Sequence, residues 1–374
     1  PTIPDSIPEV YRNLIHACWH SDVEARPTFD EIYNTIKNNL DVFITDDMNK
    51  EDFLFYMNFV DKNIPFEEIE YYIDLENEMF QKINLSFRKK KRFSFNFEFL
   101  DLNKFQKKNL IGEGSFGIVY KVLDIKNENI FAAKVSKAEI NYEIEDDMIN
   151  ISREVSVISK INHPSILKFI GFSPFNFKGQ MRPVIVTEYA SGGTLQSILH
   201  LERNCCSKPG WDITKKLINL YGLASSLQYL HSHDIIHRDL CPSNVLLDDS
   251  LYPKLADFGL SKKVTHKNEN NQISSGFKGT PAYVAPEIWN FHEYTKAGDV
   301  YAFGFTAFEI MTNQVLFPDI KDFYSLYHDV VYYKKRPSFE LPIPLCYKKL
   351  ITKCWAHEKE MRPTFDEIVY DLET

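Results

Sequence analysis

The sequence has no apolar run long enough to cross a bilayer. Its longest, Val300 to Phe308, covers less than half of the roughly 20 residues a spanning helix needs, so no membrane span is expected. It also lacks a surplus of positive charge. With 43 Lys and Arg against 52 Asp and Glu, the formal charge is −9 and the pI about 5.7, which argues against a general nucleic-acid binder. Cysteine is sparse: six residues are scattered without paired metal-ligand spacing, and the adjacent Cys205 and Cys206 suit neither a zinc knuckle nor a disulfide framework. Free thiols in a reducing compartment, the cytoplasm, are the expectation. No signal-peptide pattern opens the chain, which begins at Pro1 without Met, as a fragment or a processed chain would.

What is present is a chain of 374 residues, long enough for two or three domains, with 44% apolar residues and an aromatic share carried by 29 Phe and 20 Tyr. It contains an internal repeat. Residues 7–38 and 343–374 align without a gap and match at 15 of 32 positions, including Cys18-Trp19 with Cys354-Trp355 and the seven residues Arg26 to Ile32 with Arg362 to Ile368. The offset of 336 residues is too large for a solenoid, and chance does not produce a seven-residue identity. Between the copies, residues 41–101 carry apolar runs flanked by acids, such as Phe53 to Met57 and Ile69 to Ile73, which predict short amphipathic helices. The basic run Arg88-Lys89-Lys90-Lys91-Arg92 reads as a solvated loop, with a nuclear-import signal or an anionic-lipid patch as the sharper alternatives.

The chemistry centres on His237-Arg238-Asp239-Leu240-Cys241-Pro242-Ser243-Asn244, which places an Asp and an Asn five residues apart just before the apolar strand Val245 to Leu247. Thirteen residues past Asn244 comes Asp257-Phe258-Gly259. Two carboxylates and an amide converging on one spot suit phosphoryl transfer, in which one carboxylate orients the acceptor hydroxyl and the other two groups hold a cation on the phosphates. Far upstream, Gly112, Gly114 and Gly117 form a G-x-G-x-x-G loop. Such a loop is shared with dinucleotide sites, but there it must open a helix; here the β-branched Ile118-Val119-Tyr120 follows, so the glycines lie between two strands.

These motifs, in this order and spacing, resemble the protein-kinase signature set over about residues 102–374. The Cys-Trp and Arg-Pro-Thr-Phe pattern of the second repeat copy resembles the end of a tyrosine-kinase-like domain. The implied fold class is α+β: a two-lobed kinase fold with an antiparallel N-lobe sheet plus one helix, a mainly helical C-lobe, and a mainly helical N-terminal extension. The implied domains are residues 1–40, the tail of another kinase; residues 41–101, a connecting segment; and residues 102–374, the kinase domain.

The implied function is an ATP- and Mg²⁺-dependent protein Ser/Thr kinase; the alternative is a weak or inactive kinase-fold scaffold that binds ATP. By resemblance, Lys134 grips the α- and β-phosphates and is held by Glu154, which lies on a helix expected over residues 149–161. Asp239 takes or orients the acceptor proton, while Asn244 and Asp257 bind Mg²⁺. ATP is expected against Ile111, Gly112, Glu113, Gly114, Ser115, Phe116, Gly117, Val119, Ala132, Lys134, Thr187 and the backbone of Glu188 and Ala190. Arg238 implies an anionic partner on a phosphorylated activation segment, placed there by an upstream kinase with Ser274 and Ser275 as candidates. Gly279-Thr280-Pro281-Ala282-Tyr283 resembles the Ser/Thr-kinase version of the substrate-docking loop. Glu287 and Arg362 occupy the family's structural ion pair, and Asp299 resembles its anchor of the catalytic loop, with a plain helix N-cap as the compatible simple reading. One position departs from the pattern: Cys241 stands where Ser/Thr kinases have a Lys that reaches the γ-phosphate, and Ser243 does not supply the Arg of some tyrosine kinases.

Overall fold

β-Branched and aromatic residues that alternate with polar ones suit a half-buried sheet, and such stretches build the first lobe. A computed structural model describes residues 99–114, 117–139, 155, 157–263, 279–291, 294–320 and 322–373, together with Ala17 and Pro27. Five strands, β1 (Phe105–Glu113), β2 (Gly117–Asp124), β3 (Ile130–Ser136), β4 (Phe169–Ser173) and β5 (Val184–Glu188), form one antiparallel sheet in the order β1-β2-β3-β5-β4. Val122, Ala133, Val135, Val184 and Val186 bury its inner side with Leu102 and Phe105. The period-2 alternation of a strand then sends Lys134 to the other face from Ala133 and Val135.

Phe99 and Leu100 already belong to this lobe. The Phe99 ring lies 5.9 Å from Phe172, and Leu100 N–H donates to Phe172 O at 2.7 Å, so packing begins a little before the expected boundary at Leu102. Val155, Val157 and Ile158 are helical, and Val155, Ile158 and Ile161 are buried as their spacing predicts. The chain turns at Ser159-Lys160, so this helix ends before Ile161. Glu154 and the expected start of the helix lie outside the described residues, as do the repeat copy 7–38 (apart from Ala17 and Pro27), the connecting segment to residue 98 and the basic run 88–92.

The second lobe begins with β6 (Gly193–Thr194) and α1 (Leu195–Arg203), whose N-terminus is closed by a capping box between Thr194 and Ser197. Next come α2 (Ile213–Ser232), capped by Asp212, the short strands β7 (Ile235–Ile236), β8 (Val245–Leu247), β9 (Pro253–Leu255) and β10 (Lys262–Lys263), and α3 (Pro286–Phe291). Then follow α4 (Lys296–Thr312), α5 (Phe323–Tyr327), α6 (Leu345–Cys354) and α7 (Phe365–Glu373).

Helix α4 is apolar nearly all round and is buried at every residue from Gly298 to Thr312, at the centre of the lobe's core. It starts at Lys296, with Thr295 in the N-cap position; the simple N-cap reading of Asp299 is therefore corrected. Proximity fixes Gly304: a Cβ there would lie 2.8 Å from Cys354 Cβ, so α6 packs directly on the α4 backbone. Among the described residues all five cysteines are free, and no helix is long and apolar enough to cross a membrane.

Candidate active site

Three donors fix the loop that carries Asp239 from below. Asp299, in the first turn of α4, accepts from His237 N–H and Arg238 N–H, each at 2.8 Å, and lies 2.9 Å from His231 Nε2 at the end of α2. Burial pushes the Asp299 carboxyl up, but the His231 ring and the backbone donors outweigh it and hold the group below the ordinary carboxylate range. These bonds support Arg238 in the left-handed region, at φ 74°. His237 ties the loop sideways, with Nε2 3.1 Å from Ala256 O and its ring edge-on to Phe258 at 5.1 Å.

The Asp239 carboxylate is held on both oxygens. Oδ1 accepts from Thr280 N–H at 2.8 Å and Thr280 Oγ1 at 2.9 Å; Oδ2 accepts from Asn244 Nδ2 at 2.9 Å. The same Nδ2 donates to Asp239 O at 2.8 Å, so the donor end of Asn244 is committed and its amide oxygen is the end left to face a cation. Thr280 can approach because Gly279 precedes it at φ +116°, where a Cβ would lie 3.2 Å from Arg238 O. A backbone bond from Ala256 N–H to Asn244 O, 2.9 Å, joins this loop to the residue before Asp257.

Asp257 takes a left-handed backbone, φ 61°, and its Oδ1 lies 3.0 Å from Lys134 Nζ across the two lobes. Burial raises the carboxyl's proton affinity, yet the Lys134 ammonium and the Gly259 N–H win, and the group stays below its usual range. Lys134 and Asp257 are thus brought together. Whether Glu154 joins them lies outside the described residues.

Beneath the glycine hairpin, Val119 pairs with Gly112 across β1–β2 and Ala132 pairs with Thr187 across β3–β5. Ile111 is 42% exposed, open to a ligand, and Val119 is half-buried. Of the three glycines, Gly117 is required by the chain itself, since a Cβ there would meet Val135 O at 2.8 Å; a Cβ at Gly114 would meet nothing within 4 Å among the described residues. Glu113 pairs with Lys137 at 2.7 Å, while Ser115 and Phe116 lie outside the described residues. Thr187 is buried and its Oγ1 donates to Glu188 O at 3.1 Å. The Glu188 Oε1 accepts from Lys168 N–H at 2.8 Å and pairs with Lys254 at 3.3 Å, while Glu188 N–H donates to Lys168 O at 2.9 Å, so the carbonyl is the backbone group that can still serve a ligand; Ala190 is half-buried beside it.

Cys241 is 1% exposed, with Sγ 3.0 Å from Ser243 Oγ and 3.5 Å from Thr280 Oγ1. Burial pushes its thiol pKa up, so the sulfur is protonated and uncharged. Arg238 stacks its guanidinium 3.9 Å from the Tyr294 ring centroid. Its Nε and Nη2 are buried without a hydrogen-bond partner among the described residues, and burial lowers its pKa. Ser274 and Ser275, the candidate bearers of its phosphate partner, lie outside those residues. Glu287 and Arg362 form a buried two-point pair at 2.7 and 2.8 Å.

Sequence reasoning missed a triad around the buried Glu309, under the Thr280 turn. Tyr283 donates to Glu309 Oε2 at 2.5 Å, and Arg203 donates to Glu309 Oε1 at 3.0 Å. Its signal was available: Glu309 is the one charged residue between Val300 and Thr312, and a buried carboxylate needs partners.

A glycine hairpin over a strand lysine that faces the Asp of Asp257-Phe258-Gly259, beside a loop Asp braced by Thr and Asn, defines the class of two-lobed phosphate-handling folds. Residues 105–371 match the family model of the protein kinase domain, and the chain belongs to the protein kinase family, with the tail pattern of its tyrosine-kinase-like group. It is 31% identical over 382 residues to the dual specificity protein kinase pyk3 of Dictyostelium discoideum, covering all of this chain and 25% of that protein. It is 33% identical to the dual specificity protein kinase shkA of the same organism, over 71% of this chain and 48% of that one. To the serine/threonine-protein kinase TNNI3K of Homo sapiens it is also 33% identical, over 73% and 32%. The chain therefore spans between a quarter and a half of these relatives.

Proposed function

We propose that this chain is an ATP-dependent protein kinase that passes the γ-phosphate to Ser and Thr hydroxyls of protein substrates in the cytoplasm. The observation that carries the reading is the Asp239 carboxylate, gripped on both oxygens by Thr280 and Asn244 while Lys134 and Asp257 meet at 3.0 Å. In this reading Asp239 accepts or orients the hydroxyl proton of the acceptor. Thr280 and Asn244 keep that carboxylate aimed, so little reorganisation accompanies transfer. Lys134, steadied by Glu154, binds the α- and β-phosphates, and the adenine lies between Ile111, Val119, Ala132 and Thr187, bonded by the backbone around Glu188 and Ala190.

The donor set fits Mg²⁺. Among the described residues no three His, Cys, Asp or Glu side chains converge into a cage of their own, and one carboxylate with one amide suits an ion that completes its shell with phosphate oxygens. Asn244 and Asp257 would hold it, and it would supply neutralisation of the phosphate charge. The Arg238 Nε and Nη2, buried without a hydrogen-bond partner among the described residues, support control by a phosphate on the activation segment, on Ser274 or Ser275, added by an upstream kinase. Ser/Thr specificity rests on the Gly279-Thr280-Pro281-Ala282-Tyr283 stretch.

The rival reading, an ATP-binding scaffold, is favoured by one observation: the uncharged Cys241 at the position of the usual Lys. A radiolabelled ATP transfer assay on a basic protein, followed by phosphoamino-acid analysis, separates the two. Label on Ser and Thr, reduced roughly 10²-fold or more by Asp257→Asn, is the expected result. Binding of ATP by both proteins with transfer by neither would establish the scaffold.

A further inference from the structure

Cys241 and Ser243 stand beside the Asp239 loop without a catalytic part in the reading above. Cys241 begins the turn Pro242–Asn244, and Thr280 begins the turn Pro281–Tyr283. Among the described residues, neither side chain caps the turn it begins. A threonine in that place ordinarily takes a backbone N–H of its own turn. Here Thr280 Oγ1 faces the catalytic loop instead and donates to Asp239 Oδ1 at 2.9 Å, beside its own N–H on the same oxygen at 2.8 Å. Behind it lies Cys241 Sγ, 3.5 Å from Thr280 Oγ1 and 3.0 Å from Ser243 Oγ. The four groups form a file that runs from the exposed Ser243, through the buried Cys241 and the half-buried Thr280, to Asp239.

Counting protons gives this file a direction. Thr280 has a single hydroxyl proton, and it lies between Oγ1 and the Asp239 carboxylate, which accepts and has none to give. Toward Cys241, therefore, Thr280 Oγ1 offers only lone pairs. That contact holds a hydrogen only if the thiol donates it. Cys241 has a single proton as well: burial pushes its pKa up most, the Asp239 charge adds to this, and together they outweigh the two hydroxyls. Once given to Thr280, the thiol proton cannot serve Ser243, so the Ser243 hydroxyl must be the donor across the 3.0 Å contact to sulfur. Every donor then points the same way, Ser243 to Cys241, Cys241 to Thr280 and Thr280 to Asp239. Donors aligned in series polarise one another, and each fixes the orientation of the next.

We propose that Ser243 and Cys241 form a directed hydrogen-bond chain that holds the Thr280 hydroxyl on Asp239, and so act as positioning residues for phosphate transfer. An uncharged residue can then serve at this place: the thiol helps aim the catalytic carboxylate while leaving the γ-phosphate without a cation. The catalytic half of the inference rests on the reading of Asp239 as the group that orients the acceptor hydroxyl. The direction of donation does not, and it can be measured in a protein that transfers nothing.

Two measurements on the full chain test it. The first is the infrared S–H stretch, in which the Cys241 band is the one lost in Cys241→Ala. A thiol that donates a hydrogen bond absorbs at lower frequency than one that does not. The band is expected to move up in Thr280→Val, which keeps the β-branched shape and removes the acceptor, and to shift less in Ser243→Ala. A larger shift in Ser243→Ala would mean that the thiol donates to Ser243, and would overturn the proposal. The second is steady-state transfer. Cys241→Ala is expected to lower kcat by roughly fivefold with KM for ATP within about twofold, since the fault lies in the aim of Asp239 and not in the nucleotide site. Cys241→Ser keeps a proton in the same place and should return kcat to within about threefold of the parent. Ser243→Ala should cost about twofold alone and nothing further in the Cys241→Ala background, because the two act in series. Parental kcat in Cys241→Ala, no rescue by Cys241→Ser, or losses that multiply would each overturn the proposal. A packing role alone would move the thermal midpoint without that pattern in kcat. The expected infrared shifts in a parent that transfers no phosphate would count against the kinase reading and for the chain.

Discussion

Lys134 and Cys241 are the two residues whose chemistry can be moved without opening the core. Lys134 stands between the buried Ala133 and Val135 but is itself 29% exposed, so Met can occupy its course without leaving a cavity. Lys134→Met is expected to cut phosphate transfer by roughly 10² or more while the thermal midpoint stays within a few degrees. Transfer at the parental rate would remove Lys134 from its role. Cys241 is one link from Asp239, through Thr280 Oγ1. A lysine there would bring an ammonium to the edge of the Asp239 carboxylate, where charge shifts during transfer. Cys241→Lys is therefore expected to raise kcat by about tenfold with little change in KM for ATP, since the effect belongs to the transition state. Steady-state kinetics with chemistry rate-limiting check this; a flat kcat would mean that another cation already fills the position.

At the scale of elements, α4 does the most. Its first turn supplies Asp299 to the catalytic loop, its middle admits α6 at Gly304, and its last turns supply Glu309 to Tyr283 and Arg203. Asp299→Asn leaves one acceptor oxygen where two served three donors, and is expected to cost roughly 2–4 kcal/mol in denaturant unfolding at neutral pH. The pH dependence has a definite sign. Asp299 is held below its unfolded value near 4, so the unfolded chain binds more protons in that range. Its contribution is complete above about pH 4 and is lost as pH falls through the folded value. The variant should accordingly show a shallower acid limb in a plot of stability against pH; parallel limbs would assign the acid loss to another carboxylate.

For the whole molecule, the kinase domain holds its own C-terminal closure in residues 343–374, with Arg362 already paired to Glu287. Deleting residues 1–40 is expected to leave the cooperative transition intact with a midpoint within a few degrees of the parent in calorimetry. A large loss would mean that the segment is seated on this domain.

The sequence by itself determined the class of the fold, because strand alternation, the apolar run at 300–308 and the spacing from Asp239 to Asn244 to Asp257 are local patterns with local causes. It also showed that Cys241 departs from the family, and that the two ends of the chain repeat. The tertiary structure decided what depends on approach between distant segments. It decided between the two readings of Asp299, as the anchor of a loop some 60 residues earlier that the resemblance implied and not as a plain cap. It also made Glu309 a partner of Tyr283 and Arg203, across 26 and 106 residues. Only burial in the second copy showed which of the repeated residues face the core: a string of letters records which residues recur, while the lobe around them records what each one touches.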